Sequence, residues 1–219
     1  MKKVLLIIVA SIFSFSAANA DVSFGLSMNQ AVYAAEGKER NYDYQGTLEK
    51  TTVEYGAFDD QFVSLFAEVT NGTVGVGITY VPSTISTPEN TNTQGQGGKT
   101  SSDTKVYANF DDHLTIYAIA KLPIWGMYVK AGMSSVDIDV IESGDVGTYG
   151  NTDTNGYMVG FGIERELTNG VGIRAELTGH EYDDVSANNG SVAGAADANV
   201  IDITDMYGAT ATISLVKTF

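Results

Sequence analysis

The chain has no cysteine, two histidines, three prolines, and 12 basic residues against 27 acidic ones. Without cysteine there is neither a disulfide framework nor a thiol nucleophile, so an exported chain must gain stability from packing or from closing a sheet. The acidic excess argues against nucleic acid as a partner, because binding phosphates requires basic patches. The sequence points to no cofactor and to no metal.

The first twenty residues differ from the rest. Lys2 and Lys3 precede the apolar run from Val4 to Phe15, and Ala18-Asn19-Ala20 offers small residues at the positions that a signal peptidase reads. The run is about 12 residues long, too short for a helix to span ~30 Å of hydrocarbon. We therefore expect a signal peptide over 1–20 and a mature chain over 21–219, with a formal charge of 10 minus 27, or −17.

After residue 20, no apolar stretch approaches the length of a membrane-spanning helix, so only a closed barrel could cross a membrane. Apolar and polar residues instead alternate with period two, as in half-buried strands. Eight segments show this pattern, and they cover about 22–33, a stretch ending at Thr70, 73–82, 105–122, 125–138, 155–167, 171–183 and 204–219.

The connections between these segments alternate in length. Three are tight and lie around Asn71-Gly72, Pro123 and Asn169-Gly170, of which Asn-Gly is a strong two-residue hairpin signal. Four are long and polar and cover about 36–50, 83–104, 139–153 and 184–203. This asymmetry predicts an all-β fold, an eight-stranded antiparallel up-and-down transmembrane β-barrel with its tight turns in the periplasm and its long loops outside.

The second face of the alternation carries Gly, Ser and Thr together with charged residues such as Lys130 and Arg174. A soluble barrel or sandwich, the alternative, would have to bury these charges in an apolar core. A membrane barrel can pair them inside its lumen while the apolar face meets lipid.

Residues 156–181, GYMVGFGIERELTNGVGIRAELTGHE, resemble the Gly-rich hairpin of the small outer-membrane barrels that include the transmembrane part of OmpA, OmpX and opacity-type adhesins. Residues 125–132, WGMYVKAG, are similar to the preceding strand of that family. The resemblance implies a bacterial outer-membrane location, and it implies that Ile213, Leu215 and Phe219 form the C-terminal signal read by the barrel-insertion machinery, although Lys217 departs from that pattern.

Six charged residues share the inward parity close to the tight turns. We expect them to pair in one half of the lumen, either as a purely structural network or, as the resemblance to OmpA suggests, as a gate in a narrow water path. Eight strands leave an interior that side chains fill, which excludes a wide pore. The six residues are Glu68, Lys121, Lys130, Glu164, Arg174 and Glu176.

Aromatic residues with the opposite parity lie near strand ends, where interfacial girdles form. They are Phe24, Tyr80, Phe110, Trp125 and Tyr157, with Phe219 at the last position. Arg165 and Lys217 share this parity, and we expect them to reach lipid phosphates.

Two acidic clusters, Asp137-Asp139-Glu142-Asp145 and Glu181-Asp183-Asp184, lack calcium-loop spacing and are interpreted as solvated charge rather than Ca²⁺ ligands. His113 and His180, both expected at the outer rim, have no serine motif beside them, so catalysis has little support. The sequence favours a monomeric barrel in outer-membrane lipid with a structural or surface-interaction role, binding any ligand through its four long loops. A narrow channel for water, ions or small solutes is the alternative, and a lipid-modifying enzyme at the rim is a third hypothesis.

Overall fold

A computed structural model of the chain describes residues 20–94, 102–143 and 149–219. The predicted signal peptide over 1–20 lies outside the described residues apart from Ala20, so that prediction stays untested. No helix in the described part of the chain is long and apolar enough to cross a membrane.

Eleven strands make up most of the described chain. They are β1 (Asp21–Tyr42), β2 (Leu48–Thr70), β3 (Val74–Tyr80), β4 (Ile85–Ser86), β5 (Asn90–Gln94), β6 (Ser102–Lys121), β7 (Met127–Ser143), β8 (Thr152–Thr168), β9 (Val171–Tyr182), β10 (Val185–Asn188) and β11 (Asn199–Thr218).

Eight of these strands close into a ring. The order is β1-β2-β3-β6-β7-β8-β9-β11, every pairing is antiparallel, and β11 pairs with β1 to complete the circle. The short strands β4 and β5 pair with β6, and β10 pairs with β11. The predicted eight-stranded up-and-down barrel is therefore confirmed.

The two faces of the wall differ as the alternation predicts. Met28, Val159 and Ile213 point outward and are 74%, 65% and 69% exposed, whereas Tyr117 and Tyr128 point inward and are 3% and 1% exposed. Closure leaves the apolar face with no protein to pack against, and hydrocarbon is the solvent in which such a face is stable.

The tight connections lie together at one end of the barrel, here called the turn end. At Asn169 and Gly170 the backbone φ angles are 48° and 73°, the positive values that a two-residue hairpin with the twist of its strands requires. Gly72 has a φ of 89°, and the side chain of Asn71 accepts a hydrogen bond from the amide of Val74 at 3.0 Å.

At the opposite end, here called the distal end, strands replace most of the predicted first loop over 36–50. β1 continues to Tyr42 and β2 begins at Leu48, so only residues 43–47 connect them. The Asp43 side chain organises this turn by accepting hydrogen bonds from the amides of Gln45 and Thr47, both at 2.8 Å. The alternation did not predict these strand extensions, because neither face is buried there and polar side chains occur on both faces.

This extension is a four-stranded sheet with the order β2-β1-β11-β10. We call it the distal sheet, and it comprises residues 36–42, 48–55, 185–188 and 199–204. It also takes up part of the predicted loop 184–203. Of the other two predicted loops, β4 and β5 lie within 83–104 and strand ends lie within 139–153, while residues 95–101 and 144–148 are outside the described residues.

A bulge in β6 turns Phe110 away from the side predicted for it. Phe110 pairs with Ile138 and Leu114 pairs with Ser135, so β6 has one residue more than β7 over this interval, and Asp112 there has a φ of 50°. One extra residue exchanges the two faces of a strand. Phe110 therefore shares the inward face with buried Ile138, and its ring stacks on Phe58 at 6.1 Å.

Candidate functional site

The inward positions of four strands bring charged side chains together in the turn-end half of the lumen. Glu68 comes from β2, Lys130 from β7, Glu164 from β8, and Arg174 and Glu176 from β9. These five residues are called the lumen network below. Sequence-distant strands meet here only because the sheet closes into a ring.

Arg174 is the centre of the lumen network and is 2% exposed. Its guanidinium donates to both carboxylate oxygens of Glu68, from Nη1 to Oε1 at 2.7 Å and from Nη2 to Oε2 at 2.8 Å. It also donates to Glu164, its cross-strand neighbour, from Nε at 3.1 Å and from Nη2 at 2.5 Å. All three guanidinium nitrogens are thus engaged in charge-assisted hydrogen bonds, which are the strong ones.

Lys130 forms the second half of the network. Its Nζ lies 2.7 Å from Oε2 of Glu176 and 3.5 Å from Oε1 of Glu68, and it stands 4.2 Å from the centroid of the Tyr117 ring. The side chain of Lys130 is 4% exposed. Such a buried ammonium is tolerated only where carboxylates surround it.

Two tyrosines complete the hydrogen bonding of the carboxylates. The hydroxyl of Tyr117 donates to Glu68 and that of Tyr128 donates to Glu176, both at 2.7 Å. Sequence reasoning placed both rings on the inward face but did not include them in the site. The glycines on facing strands are the sequence feature that could have indicated these two tyrosines. A Cβ at Gly77 would collide with the Tyr117 ring, and a Cβ at Gly162 would collide with the Tyr128 hydroxyl.

Two details of the network do not follow from inward parity. Glu176 lies two residues from Arg174 on the same strand but pairs with Lys130. Glu68, 106 residues away along the chain, takes the second site on the Arg174 guanidinium. Lys121 shares the inward face at the end of β6, opposite Tyr128, yet it forms no ion pair within the described residues. Arg174 and Glu176 are neighbours on the inward face of β9, but each takes a partner from another strand. The alternation along one strand does not show which partner each residue takes.

A small polar cavity of about 60 Å³ lies on the distal side of the network. The amide of Asn29 donates to the hydroxyl of Ser64 at 2.9 Å and accepts from Thr212 at 2.8 Å, and Thr115 and His180 are among the other lining residues. The volume and the polar lining suit a few water molecules rather than a larger solute.

Beyond this cavity the lumen is occupied by rings. His113 from β6 and Tyr182 from β9 meet across it, with the tyrosine oxygen 3.4 Å from Nε2 of His113. His180 stacks on Tyr182 at 5.9 Å between centroids and lies 6.1 Å from the His113 ring. Both histidines were expected at the outer rim, but their rings lie within the lumen.

The remaining predicted aromatic and insertion residues are exposed, on the outward face of the wall or, for Trp125, in the turn between β6 and β7. Phe24 is 43% exposed and meets Phe219 edge to face at 6.3 Å, and Lys217, expected to reach lipid, donates to the carbonyl of Asn169 at 2.6 Å. Their roles at a membrane interface and in insertion stay predictions. The exposed set comprises Phe24, Tyr80, Trp125, Tyr157, Ile213, Leu215 and Phe219.

No cluster of three or more histidine, aspartate or glutamate residues suited to a metal ion occurs in residues 20–94, 102–143 and 149–219. Asp145, a member of one predicted acidic cluster, lies outside these residues.

Comparison with known proteins gives a fold. No family model matches the sequence, and no curated protein matches it. The structure of the outer membrane protein OprG from Pseudomonas aeruginosa is similar at 12% identity, with 89% of this chain and 95% of that chain covered and a TM-score of 0.56. Neisserial surface protein A is similar at 13% identity, with 87% and 97% covered and a TM-score of 0.41. Together with the closed ring of eight strands, the likeness to OprG gives the chain the fold of the small eight-stranded β-barrels of bacterial outer membranes.

Proposed function

We propose that the protein is a structural or surface-interaction barrel that acts through its distal sheet and distal loops. The observation that carries this proposal is the contrast between a lumen filled by paired charges and rings and a distal sheet that offers exposed strand to its surroundings. Outer-membrane lipid would surround the wall, and the barrel-insertion machinery would read Ile213, Leu215 and Phe219.

The lumen network supports a structural role for the interior. Each carboxylate of the network has at least one cationic partner, and Glu68 also accepts from Tyr117. A passing ion would have to break several of these buried bonds, each of which is costly to leave unmade. Two obstacles in series, the network and the His113–Tyr182 contact, lie on either side of the small cavity.

Orientation is the first part of this proposal to test. The distal sheet faces outside and the turns at Asn71, Pro123 and Asn169 face the periplasm. Because the chain has no cysteine, single cysteines placed at Tyr44, Asn189 and Asn169 can be labelled on whole cells with a membrane-impermeant thiol reagent. We expect reaction at Tyr44 and Asn189 only, and reaction at Asn169 alone would reverse the orientation.

Conductance separates this proposal from the alternative. A narrow channel for water, ions or small solutes is the second candidate, and the polar cavity is the observation in its favour. In planar bilayers we expect the protein to show no current steps, and we expect Arg174→Met to lower stability without opening a current. Steady unitary currents that persist after the distal strands are trimmed, or that increase in Arg174→Met, would support the channel.

A further inference from the structure

The outer edge of β2 is open over most of the distal sheet. β2 pairs with β1 from Leu48 to Thr70, but β3 pairs with it only from Leu65 to Thr70. Within the part of the chain that the structure describes, no strand pairs with the other side of β2 over 48–62. Every residue from 48 to 57 except Thr52 is exposed.

This edge carries charged side chains but lacks two other common protections against pairing, proline and a bulge next to the barrel. It contains no proline, and its pairing with β1 runs without a register shift from Lys50 to the barrel, the one irregularity being at Tyr42 and Leu48. A long regular edge with free N–H and C=O groups is a template for another strand. Protein edges of this kind are used for recognition by strand addition.

The charges along the edge select the strand that would fit. Lys50 and Glu54 lie on one face of β2, two residues to either side of Thr52. Consider two copies of this strand paired antiparallel, related by a twofold axis that runs between their Thr52 residues. Lys50 of each copy then lies opposite Glu54 of the other. The same register places Thr51 opposite Val53, a β-branched pair of the kind that stabilises sheets.

Neighbouring registers are worse. A twofold axis normal to the sheet keeps like faces together, so the axis must run between the two copies of one residue, which are then opposite each other. An axis through Lys50 or Glu54 puts like charges opposite each other, which is destabilising. An axis through Thr51 or Val53 leaves both charges without a charged partner. The edge is therefore self-complementary in one register.

We propose that the β2 edge binds the β2 edge of a second copy of this chain, antiparallel and centred on Thr52. Antiparallel pairing inverts one barrel relative to the other, so the two copies project from facing membranes and each barrel stays a monomer in its own bilayer. The inference deepens the proposed function and rests on it, because the distal sheet must face outside.

The test uses the full-length barrel in two populations of phosphatidylcholine liposomes, one carrying donor lipids and the other acceptor lipids. Clustering is measured by light scattering and by energy transfer between the populations. We expect the wild-type protein to cluster its liposomes, and Lys50→Glu or Glu54→Lys alone to reduce clustering at least about fivefold, because each places like charges opposite each other twice.

Mixing the two variants provides the decisive arm. Liposomes with Lys50→Glu carry two acids at these positions and those with Glu54→Lys carry two lysines, so every cross-strand pair is opposite in charge and clustering between the populations should return. Lys38→Glu, a matched charge change on the inner strand β1, should leave clustering unchanged. Circular dichroism confirms that each variant is folded.

Two results would overturn the inference: single variants that cluster like the wild type, or a mixture that stays dispersed. Labelling of a cysteine at Tyr44 separates this failure from that of the proposed function. Liposomes whose Tyr44→Cys protein reacts from outside but does not cluster contradict the β2 pairing alone. An unreactive Tyr44→Cys on whole cells contradicts the proposed orientation.

Discussion

The lumen and the distal sheet of this protein both contain arginine–carboxylate pairs, but in very different surroundings. Arg174 is 2% exposed and binds two carboxylates, whereas Arg40 donates to Asp202 at 2.7 Å with side chains that are 29% and 22% exposed. Water can replace a lost partner more readily in the distal sheet than in the lumen, where Glu68 and Arg174 are almost fully buried. The same kind of bond should therefore matter to stability in one region and little in the other.

The largest effect is expected in the lumen network. Arg174→Met removes the cation that binds Glu164 and leaves Glu68 with Lys130, 3.5 Å away, as its remaining cationic partner. Breaking a buried pair in this way costs roughly 3–5 kcal/mol of unfolding free energy. Urea-dependent unfolding in lipid bilayers measures this loss. Adding Glu68→Leu removes the more deeply buried of the two carboxylates that lose Arg174, and it should recover part of the lost stability.

Lys121→Met is the matched control, since Lys121 forms no ion pair within the described residues, and it should cost less than about 1 kcal/mol. If Arg174→Met and the double variant prove equally unstable, the lumen charges do not act as a paired unit. If Lys121→Met is as damaging as Arg174→Met, burial rather than pairing explains the loss.

A second prediction compares the outward face of the wall with that of the distal sheet. Ala118 points outward on β6 and Val53 points outward on β2 beyond the ring. Ala118→Arg should cost about 2–4 kcal/mol because it places a charge in the hydrocarbon. Val53→Arg should change the unfolding free energy by less than about 0.5 kcal/mol because water surrounds it.

Refolding yield and urea midpoints in bilayers of defined thickness measure both variants. If both arginines lower the unfolding free energy equally, the distal sheet also lies in lipid. If Ala118→Arg leaves the unfolding free energy unchanged, the outward face of β6 does not lie in lipid. Either result would contradict the assignment of the wall to lipid and of the distal sheet to water.

The smallest effect is expected at the exposed pair. Arg40→Met removes the contact with Asp202 and should cost at most about 1 kcal/mol, as for other surface ion pairs. Because screening weakens exposed pairs, the difference from wild type should shrink further in high salt. A loss comparable to that of Arg174→Met would show that the distal sheet is as dry as the lumen.

The sequence predicted the barrel more fully than the site. Alternation and the Asn-Gly turns indicated eight strands. Inward parity selected six charged residues, and the structure brings five of them together but leaves Lys121 outside the network. The hairpin joining β8 and β9 even places Glu164 opposite Arg174, because a two-residue turn sets the register of both strands.

The parts that could not be predicted depend on more than one strand. The bulge at Asp112 reverses Phe110, and nothing in the alternation of a single strand indicates an extra residue relative to its neighbour. The partners of Glu176 and of Arg174 depend on which side chains face each other across the lumen. The distal sheet has polar residues on both faces, so periodicity carried no signal there.

What the sequence alone determined is the local chemistry: which residues form strands in the wall, which face of each strand is apolar, and where the tight turns lie. Those properties follow from side-chain period, turn residues and hydrophobicity, which act over a few neighbouring positions. The tertiary structure alone decided that β2 and β9 face each other, so that Glu68 reaches Arg174 106 residues away. It also decided that β2 extends beyond its neighbour β3 and leaves an open edge. An edge can be open only relative to a neighbouring strand, and neighbours are defined only once the sheet has formed.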